Sequence, residues 1–387
     1  MFLLTGLPPM PEPAPRQNAH PIVLVGGFTS WGREEAFGFK YWGGPGRDIQ
    51  EDLKAHGYPC VTAAVGPLSS NWDRACELYA QLKGGRVDYG AAHAKAHGHA
   101  RFGRTYPGLL PAWGTATLPR AHFIGHSQGG QTIRVLEHLL AHGAPDELAA
   151  ATDASPLFHG RKAWTASVTT LATPHLGTTL VWKREHLLGP AQRWLALASR
   201  LSPLKTYDLK LDHWAFQDDS QGAVFRHLER APLAQTRDFA PYDLSPEGAA
   251  VLNGWVRPDP GAFHFSWSTA KTRPEGPGDH VPAGKMTLLW RRGAWFLGRT
   301  LQVPGHGPLP PSWKRNDGVV NTISQAAPSG VSTLPFDGHP RRGTWQPMGV
   351  LEGWDHSEVL GIGPEHGAEV LPFYRRWAAF LAGLPES

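Results

Sequence analysis

The sequence predicts an α/β fold with a mostly parallel central sheet, and three observations carry this prediction. Short apolar or β-branched runs, typical of buried strands, occur at 22–25, 60–65 and 121–124; 162–173 also reads as a strand, and 263–269 alternates like one. Segments with apolar residues at helical spacing lie between or after them, at 48–56, 71–82, 128–140 and 368–381. The chain has 387 residues and is 41 % hydrophobic, which is enough to bury a large core. Strands that alternate with helices favour a parallel sheet.

Composition excludes several classes of protein. The net charge is only +4 and no dense Lys/Arg run occurs, so nucleic acid is not an expected partner. No apolar run approaches the ~18 residues of a transmembrane helix. Cys60 and Cys76 lie outside any C-x-x-C motif, and we expect reduced, partly buried thiols. Residues 1–20 are Pro-rich and are predicted to be a disordered leader before a single domain at 21–387.

The segment 125–129, Gly-His-Ser-Gln-Gly, fits the G-x-S-x-G nucleophile elbow of α/β-hydrolases. An apolar run precedes it, and a helical pattern follows it as far as Gly143, a candidate C-cap. This strand–turn–helix context favours Ser127 as a nucleophile. The alternative is a serine in an ordinary Gly-rich turn.

A serine hydroxyl needs a histidine to take its proton and an acid to orient that histidine. In α/β-hydrolases the chain order is serine, acid, histidine. Ser127, Asp317 and His356 have this order, and Asp317 lies in a turn signal, Asn-Asp-Gly. Order alone leaves other candidates open: Asp337 and Asp355 for the acid, and His280, His306, His339 and His366 for the base.

Three further segments are candidates for supporting roles. The loop 26–28, Gly-Gly-Phe, follows the first predicted strand and could supply an N–H group to an oxyanion hole. The segment 84–110 has weak periodicity and contains His93, His97 and His99, so we expect an irregular segment that a metal could hold. The segment 179–204 is amphipathic and reads as either a mobile lid or a packed helix, with a second cap helix at 211–228.

Several long strings in the sequence are far more specific than these patterns. They are Trp-Gly-Arg-Glu-Glu at 31–35, Gly-Phe-Lys-Tyr-Trp-Gly-Gly at 38–44, Gly-Pro-Leu-Ser-Ser-Asn-Trp-Asp-Arg-Ala-Cys at 66–76 and Val-Asp-Tyr-Gly-Ala-Ala-His at 87–93. With 126–131 and 316–318, they resemble the zinc-containing thermoalkalophilic bacterial lipases, which are α/β-hydrolase triacylglycerol lipases. The resemblance covers about residues 21–380.

The resemblance implies a role for particular residues. It places the nucleophile on Ser127, the acid on Asp317, the base on His356 and the oxyanion donors on the backbone N–H groups of Phe28 and Gln128. It also implies an α/β-hydrolase fold with a zinc-binding insertion at about 71–110 and a cap or lid at about 176–245.

The resemblance further implies a structural zinc ion bound by Asp73, His93, His99 and Asp243, with His97 as a bystander. Two imidazoles and two carboxylates suit a closed tetrahedral zinc site, which leaves no position for a reactive water. The family also binds calcium near the base. Glu358 matches one ligand, but Gly363 replaces the second carboxylate, and this loss argues against calcium here.

Two other departures from the family pattern concern the active site. Gly26 replaces a histidine that precedes Gly27 and Phe28 in the family, so a side chain that could order the oxyanion loop is absent. The lid segment is shorter than in the family and diverges in sequence, which could leave the cleft more open.

The leading functional hypothesis is therefore a secreted carboxylic ester hydrolase acting on acylglycerols, with lipid at an oil–water interface as its partner. Short-chain ester or polyester hydrolysis with the same triad is the alternative within this class. An amidase or peptidase is chemically open, since the triad does not distinguish esters from amides. A hypothesis of another class is a non-catalytic, surface-binding scaffold that keeps the fold without the chemistry.

Overall fold

A six-stranded parallel sheet forms the centre of the protein. The structure is a computed structural model that describes residues 10–12, 14–182, 207–214, 237–302 and 307–386. In spatial order the strands are β10 (Trp345–Glu352), β7 (Phe263–Ala270), β6 (Thr165–Leu171), β5 (Ala121–His126), β1 (Ile22–Val25) and β2 (Cys60–Ala63). All five pairings are parallel. The predicted α/β class is confirmed.

Helices cover both faces of this sheet. The helices of the described ranges are α1 (Ile49–Ala55), α2 (Asn71–Lys83), α3 (Ala91–His97), α4 (Gln128–His142), α5 (Pro145–Ala150), α6 (Ala240–Asp243), α7 (Pro246–Trp255), α8 (Leu288–Leu297) and α9 (Val370–Ala382). The side chains of β1 alternate between the two faces of the sheet and enter two hydrophobic cores. Val23 and Val25 pack with α2 and α4. Ile22 and Leu24 pack on the other face with α1 and α9. A strand buried on both faces explains the continuous apolar runs in the sequence.

The helices predicted at 48–56, 71–82 and 128–140 are confirmed with boundaries close to those expected. Local capping explains this agreement. The Ser70 side chain accepts the N–H of Asp73 at 3.2 Å and begins α2. Gly143 ends α4 with φ 78°, a left-handed conformation that favours glycine.

The prediction of an irregular segment at 84–110 is wrong. β3 (Gly85–Asp88) and β4 (Phe102–Tyr106) form an antiparallel pair, and α3 lies between them. These strands are short, partly exposed and interrupted by a shift of register, so they lack a clear alternation. The start of α3 also depends on a distant residue, because a carboxylate on α5, that of Glu147, accepts the N–H groups of Ala92 and His93, each at 2.8 Å.

The predicted disordered leader does not extend through residues 14–20. Asn18 is buried, and its Nδ2 donates to the carbonyls of Leu381 and Leu384 at 2.9 and 3.0 Å. Its Oδ1 lies 3.0 Å from Nε2 of His122 on β5. These contacts join the start of the chain to the end of α9, and they are long-range contacts that composition cannot reveal.

Most of the predicted cap lies outside the described residues. Of the segment 179–204, only Thr179–Trp182 is described, as a 3₁₀ turn. Of the segment 211–228, only residues 211–214 are described, with a 3₁₀ turn at Asp212–Trp214. Within the described ranges, no helix combines the length and apolar character needed to cross a bilayer. Cys60 and Cys76 are free thiols and are fully buried, more deeply than the partial burial that we expected.

Replacing Asn18 by alanine tests the attachment of residues 14–20. We expect Asn18→Ala to lower the free energy of unfolding by about 1–3 kcal/mol, because buried polar groups lose their partner. Gln17→Ala, at the exposed neighbouring position, should change it by less than about 0.5 kcal/mol. Urea unfolding followed by tryptophan fluorescence measures both. Equal, small effects of the two variants would contradict a packed N-terminal segment.

Candidate active site and metal-binding group

Ser127 lies at the sharp turn between β5 and α4. Its φ and ψ are 56° and −128°, a conformation that non-glycine residues rarely adopt. The turn is tight because α4 approaches β1 closely: a Cβ at Gly129 would lie 2.2 Å from the carbonyl oxygen of Val25. This is the strained strand–turn–helix geometry that the G-x-S-x-G motif predicts.

His356 lies between Ser127 and Asp317. Its Nε2 is 3.0 Å from the Ser127 Oγ, and its Nδ1 is 2.8 Å from the Asp317 Oδ2. The three residues come from loops at the carboxyl ends of the sheet, and the His356 side chain is only 7 % exposed. A carboxylate only accepts hydrogen bonds, so Nδ1 carries the proton and Nε2 is free to accept the serine O–H.

The Asp317 carboxylate is buried and held from several directions. Besides His356, it accepts from the Thr269 Oγ1 at 2.8 Å, the Gln325 Nε2 at 3.1 Å and the N–H groups of Val319 and Val320 at 2.9 and 2.7 Å. These donors determine the orientation of the acid, and through it the orientation of the imidazole.

The loop 26–28 passes directly beside the serine. A Cβ at Gly27 would lie 2.7 Å from the Ser127 Cβ, so the backbone can approach this closely only without a side chain. Within the described part of the chain, neither the N–H of Phe28 nor that of Gln128 has a hydrogen-bond acceptor. The geometry therefore leaves two backbone donors near Ser127, as an oxyanion hole requires.

The alternative acids and bases have other contacts. Asp355 accepts the N–H of Thr287 at 2.8 Å, and Asp337 pairs with Arg341. His366 contacts the Glu369 carboxylate, and His280 lies near Thr272. Neither acid bonds to His356, and neither histidine bonds to Ser127. His306 lies outside the described residues.

A second group of reactive side chains lies at α2 and α3. One ligand atom each from Asp73, His93, His99 and Asp238 lies within 4.8 Å of the others, which is close enough to hold a metal ion. Burial by itself would lower the pKa of His93, but the Asp238 and Asp73 carboxylates outweigh it and raise this pKa to about 10. The two buried carboxylates therefore favour positive charge at this position.

Two buried atoms of this group, Oδ1 of Asp73 and Nε2 of His99, make no well-aligned hydrogen bond among the described residues. Oδ1 of Asp73 lies 3.2 Å from Nε2 of His93, and Nε2 of His99 lies 3.2 Å from Oδ2 of Asp238. The Nδ1 of His99 lies 2.9 Å from the Ala100 carbonyl and so carries the ring proton. This arrangement leaves an Nε2 lone pair directed into the group. Buried lone pairs of this kind fit a divalent metal ion, because a metal would satisfy them.

The fourth member of the group is Asp238 and not the expected Asp243. The Asp243 Oδ2 instead accepts the backbone N–H of Asn71 at 2.5 Å, and burial raises the pKa of Asp243 to about 7. Asp238 precedes α6 and Asp243 is the last residue of α6, five positions later, so only the path of the chain decides which carboxylate enters the group.

His213 supports the group from the segment 207–214. Its Nε2 lies 2.9 Å from the Asp73 Oδ2, which leaves Asp73 Oδ1 for a metal. Its carbonyl accepts the N–H of Ala100, the neighbour of His99, at 2.8 Å. The group thereby joins the segment 207–214 to the insertion that carries α3.

A family model described as "Lipase-like, C-terminal domain" matches residues 18–377 of this sequence. The chain belongs to this lipase-like family. Among curated proteins, it is 34 % identical over 385 residues to the lipase of Staphylococcus hyicus, covering 96 % of this chain and 58 % of the relative. It is also 34 % identical to lipase 2 of Staphylococcus aureus, covering 92 % of this chain and 53 % of the relative. The chain thus spans little more than half the length of these relatives.

Solved structures of similar proteins extend the comparison to three dimensions. EstA from Clostridium botulinum superposes with a TM-score of 0.90 at 39 % identity, covering 100 % of this chain and 93 % of that one. Lipase 1 from Pelosinus fermentans gives 0.83 at 40 % identity, with coverage of 95 % and 100 %. The Staphylococcus hyicus lipase structure gives 0.83 at 34 % identity, with coverage of 95 % and 96 %. This chain, as a member of the family, therefore has an α/β-hydrolase fold.

A buried relay that sequence reasoning missed links the loop 26–28 to His356. The N–H of Gly27 lies 3.1 Å from the Tyr41 hydroxyl, the hydroxyl lies 2.8 Å from Nδ1 of His126, and Nε2 of His126 lies 2.8 Å from the His356 carbonyl. Burial keeps the pKa of His126 well below its usual value, so the ring is neutral. Nε2 must donate to the carbonyl, so Tyr41 donates to Nδ1 and accepts from Gly27.

Arg74, on α2, also holds the loop 26–28. Its guanidinium is fully buried and donates to the carbonyls of Gly26 and Gly66 at 2.5 and 2.7 Å, and its Nε donates to Thr132 at 2.8 Å. Tyr41 and Arg74 thus order a loop in which Gly26 lacks the family's histidine side chain. Tyr41 lies in the distinctive string at 38–44 and Arg74 in the one at 66–76. These strings were the signal in the sequence that could have identified both residues.

Replacing Tyr41 by phenylalanine tests the relay. We expect Tyr41→Phe to slow the reaction of Ser127 with an organofluorophosphonate about tenfold, because Gly27 N–H and His126 Nδ1 lose a buried partner worth roughly 1.4 kcal/mol. Labelling rates of the folded protein measure this effect. Tyr79→Phe is the control, since that hydroxyl has no hydrogen bond within the described ranges. An unchanged rate in Tyr41→Phe would contradict a positioning role for the relay.

Proposed function

We propose that this chain hydrolyses carboxylic esters through an acyl-enzyme on Ser127, with acylglycerols as the preferred substrates. The observation that carries the proposal is the continuous hydrogen-bonded line from Ser127 through His356 to Asp317. The names of the similar proteins, two lipases and a protein called EstA among the solved structures, point to the same chemistry.

In the first half-reaction, the Ser127 Oγ attacks the ester carbonyl carbon while His356 Nε2 takes the hydroxyl proton. Asp317 keeps the proton of Nδ1 in place and stabilises the imidazolium that forms. The tetrahedral intermediate collapses when the C–O bond to the alcohol breaks, and His356 passes its proton to the departing oxygen. Ser127 is left as an acyl ester.

In the second half-reaction, water replaces the serine as nucleophile. His356 Nε2 takes a proton from water, and the oxygen attacks the acyl carbon. The bond to Ser127 breaks, the serine regains its proton from His356, and the carboxylic acid departs. The N–H groups of Phe28 and Gln128 would bind the oxyanion in both halves, and each such donor is typically worth about 3 kcal/mol of barrier.

The surface near His356 supports an apolar substrate. Trp290 on α8 donates its Nε1 to the Ser357 Oγ at 2.8 Å, which places α8 beside the base. On the same helix Leu288, Leu289 and Trp295 are 83 %, 59 % and 37 % exposed. Exposed apolar side chains next to a reactive site suit contact with acyl chains at an oil–water interface. Secretion stays a prediction of the family resemblance.

Replacing Ser127 by alanine tests the reaction. We expect the wild type to hydrolyse p-nitrophenyl esters and Ser127→Ala to lose about 10⁴-fold or more of kcat, because no other group takes over the attack. Ser329→Ala, at an exposed serine, should keep full activity. A wild type that is inert on every ester, or an active Ser127→Ala, would contradict the proposal and favour the scaffold hypothesis.

The acyl-length profile of the wild type separates the narrower alternatives. Faster turnover of long acyl chains and of emulsified triacylglycerol supports lipase action. A preference for butyrate over all longer chains would replace it with short-chain esterase action, and turnover of matched anilides would favour the amidase alternative.

We also propose that the group of Asp73, His93, His99 and Asp238 binds a structural zinc ion. Two imidazoles and two carboxylates match the ligands that zinc prefers, and with four protein ligands the ion would cross-link the chain rather than activate water. His213 would keep one Asp73 oxygen directed into the site.

The pair Asp238→Asn and Asp243→Asn tests the choice of fourth ligand. We expect Asp238→Asn to weaken zinc binding by more than about tenfold, because a charged ligand is lost, while Asp243→Asn keeps its acceptor for Asn71 and retains zinc. Zinc content after dialysis and thermal unfolding with and without chelator measure both. Zinc loss confined to Asp243→Asn would reverse the assignment.

A further inference from the structure

A buried lysine lies between two glutamates close to His356. Lys271 directly follows β7, and its Nζ is 2.7 Å from both carboxylate oxygens of Glu358 and 2.8 Å from Glu365 Oε2. The side chain of Lys271 is 1 % exposed and that of Glu358 is 0 % exposed. An ammonium so deeply buried persists only when it is closely paired, so these contacts are specific.

These carboxylates belong to a set of residues, Glu358, Glu365 and His366, that could hold a metal ion by spacing alone. It is also where the family resemblance implies calcium. The residues do not fit that ion. The Lys271 ammonium already provides the positive charge beside Glu358.

A calcium site would need a second carboxylate at position 363, where this chain has Gly363. A Cβ built at Gly363 would lie 2.4 Å from the Glu358 Cγ. The Glu358 side chain therefore takes the space that a larger residue at 363 would need, and turns its carboxylate toward Lys271. The presence of Lys271 beside Glu358 and the absence of a carboxylate at position 363 are therefore linked.

We propose that the Lys271 ammonium is the resident cation of this site and is a positioning residue for His356. The positioning role of Lys271 rests on the proposed function, in which His356 acts as the base. Because the charge is covalently attached to the chain, it does not depend on free calcium.

The contacts of Lys271 explain how it acts on the triad. Its backbone N–H donates to the carbonyl of Asn316, the residue before Asp317, at 3.1 Å. Its ammonium holds Glu358, whose Oε2 accepts the N–H of Asp355, the residue before His356, at 2.8 Å. One residue therefore connects the loop of the acid with the loop of the base.

The test compares the wild type, Lys271→Ser and Lys210→Ser, with zinc kept constant. Lys210 is a matched control, because its ammonium also pairs with a carboxylate, that of Glu35 at 2.7 Å, and is 7 % exposed. The measurements are Tm and calorimetric binding during titration with CaCl₂, and kcat and KM for a p-nitrophenyl ester.

We expect the Tm of the wild type and of Lys210→Ser to be independent of calcium. Lys271→Ser should lose about tenfold or more in kcat with little change in KM, as misplacement of a base does. Calcium should then raise the Tm of Lys271→Ser and restore part of its kcat, because the serine leaves room and two unpaired carboxylates. Lys271→Arg, which keeps the charge, should retain more kcat than Lys271→Ser.

Calcium binding by the wild type, or a calcium-dependent rise in its Tm, would overturn the proposal without any variant, even if Lys271→Ser failed to fold. A lower Tm of Lys271→Ser with unchanged kcat would reduce Lys271 to a structural role and also overturn it. If the wild type were inert on esters, the proposed function would fail, while the calcium titration and organofluorophosphonate labelling of Ser127 would still decide the role of Lys271.

Discussion

The reactive end of the sheet depends on the close approach of α4 to β1. Because a side chain at Gly129 would collide with the Val25 carbonyl, the helix can begin directly behind the strand ends, and Ser127 is forced into its strained turn. The same approach brings the loop after β1 against the serine at Gly27. One steric constraint therefore determines the position of both Ser127 and the adjacent loop 26–28.

Around this constraint, buried polar contacts hold the loops at 26–28 and around His356. Arg74 and Tyr41 hold the loop at 26–28, and Lys271 with Glu358 holds the loop of His356. Buried polar groups are costly when a partner is missing, so a fully satisfied network allows only one arrangement. This requirement gives the loops the rigidity that a triad needs, although their sequences are rich in glycine.

The group of Asp73, His93, His99 and Asp238 connects more segments of the chain than the triad does. Its ligand candidates come from α2, α3, the turn after α3 and the segment before α6, and His213 adds the segment 207–214. These distant parts of the chain meet at the group. A cation that satisfies buried carboxylates and imidazoles together can stabilise this junction, which also lies next to residues of the predicted cap.

The sequence by itself determined the α/β class, the helices α1, α2 and α4, and the elbow at Ser127, because local periodicity and capping depend on neighbouring residues. The choice of Asp317 and His356 among several acids and histidines came from long matching strings rather than from spacing. Only the tertiary structure decided that Asp238 and not Asp243 joins the metal group, that β3 and β4 form an antiparallel pair connected by α3, and that Lys271 pairs with Glu358. Each of these depends on which distant segments meet, and a buried charge or a short exposed strand leaves no periodic trace in the chain.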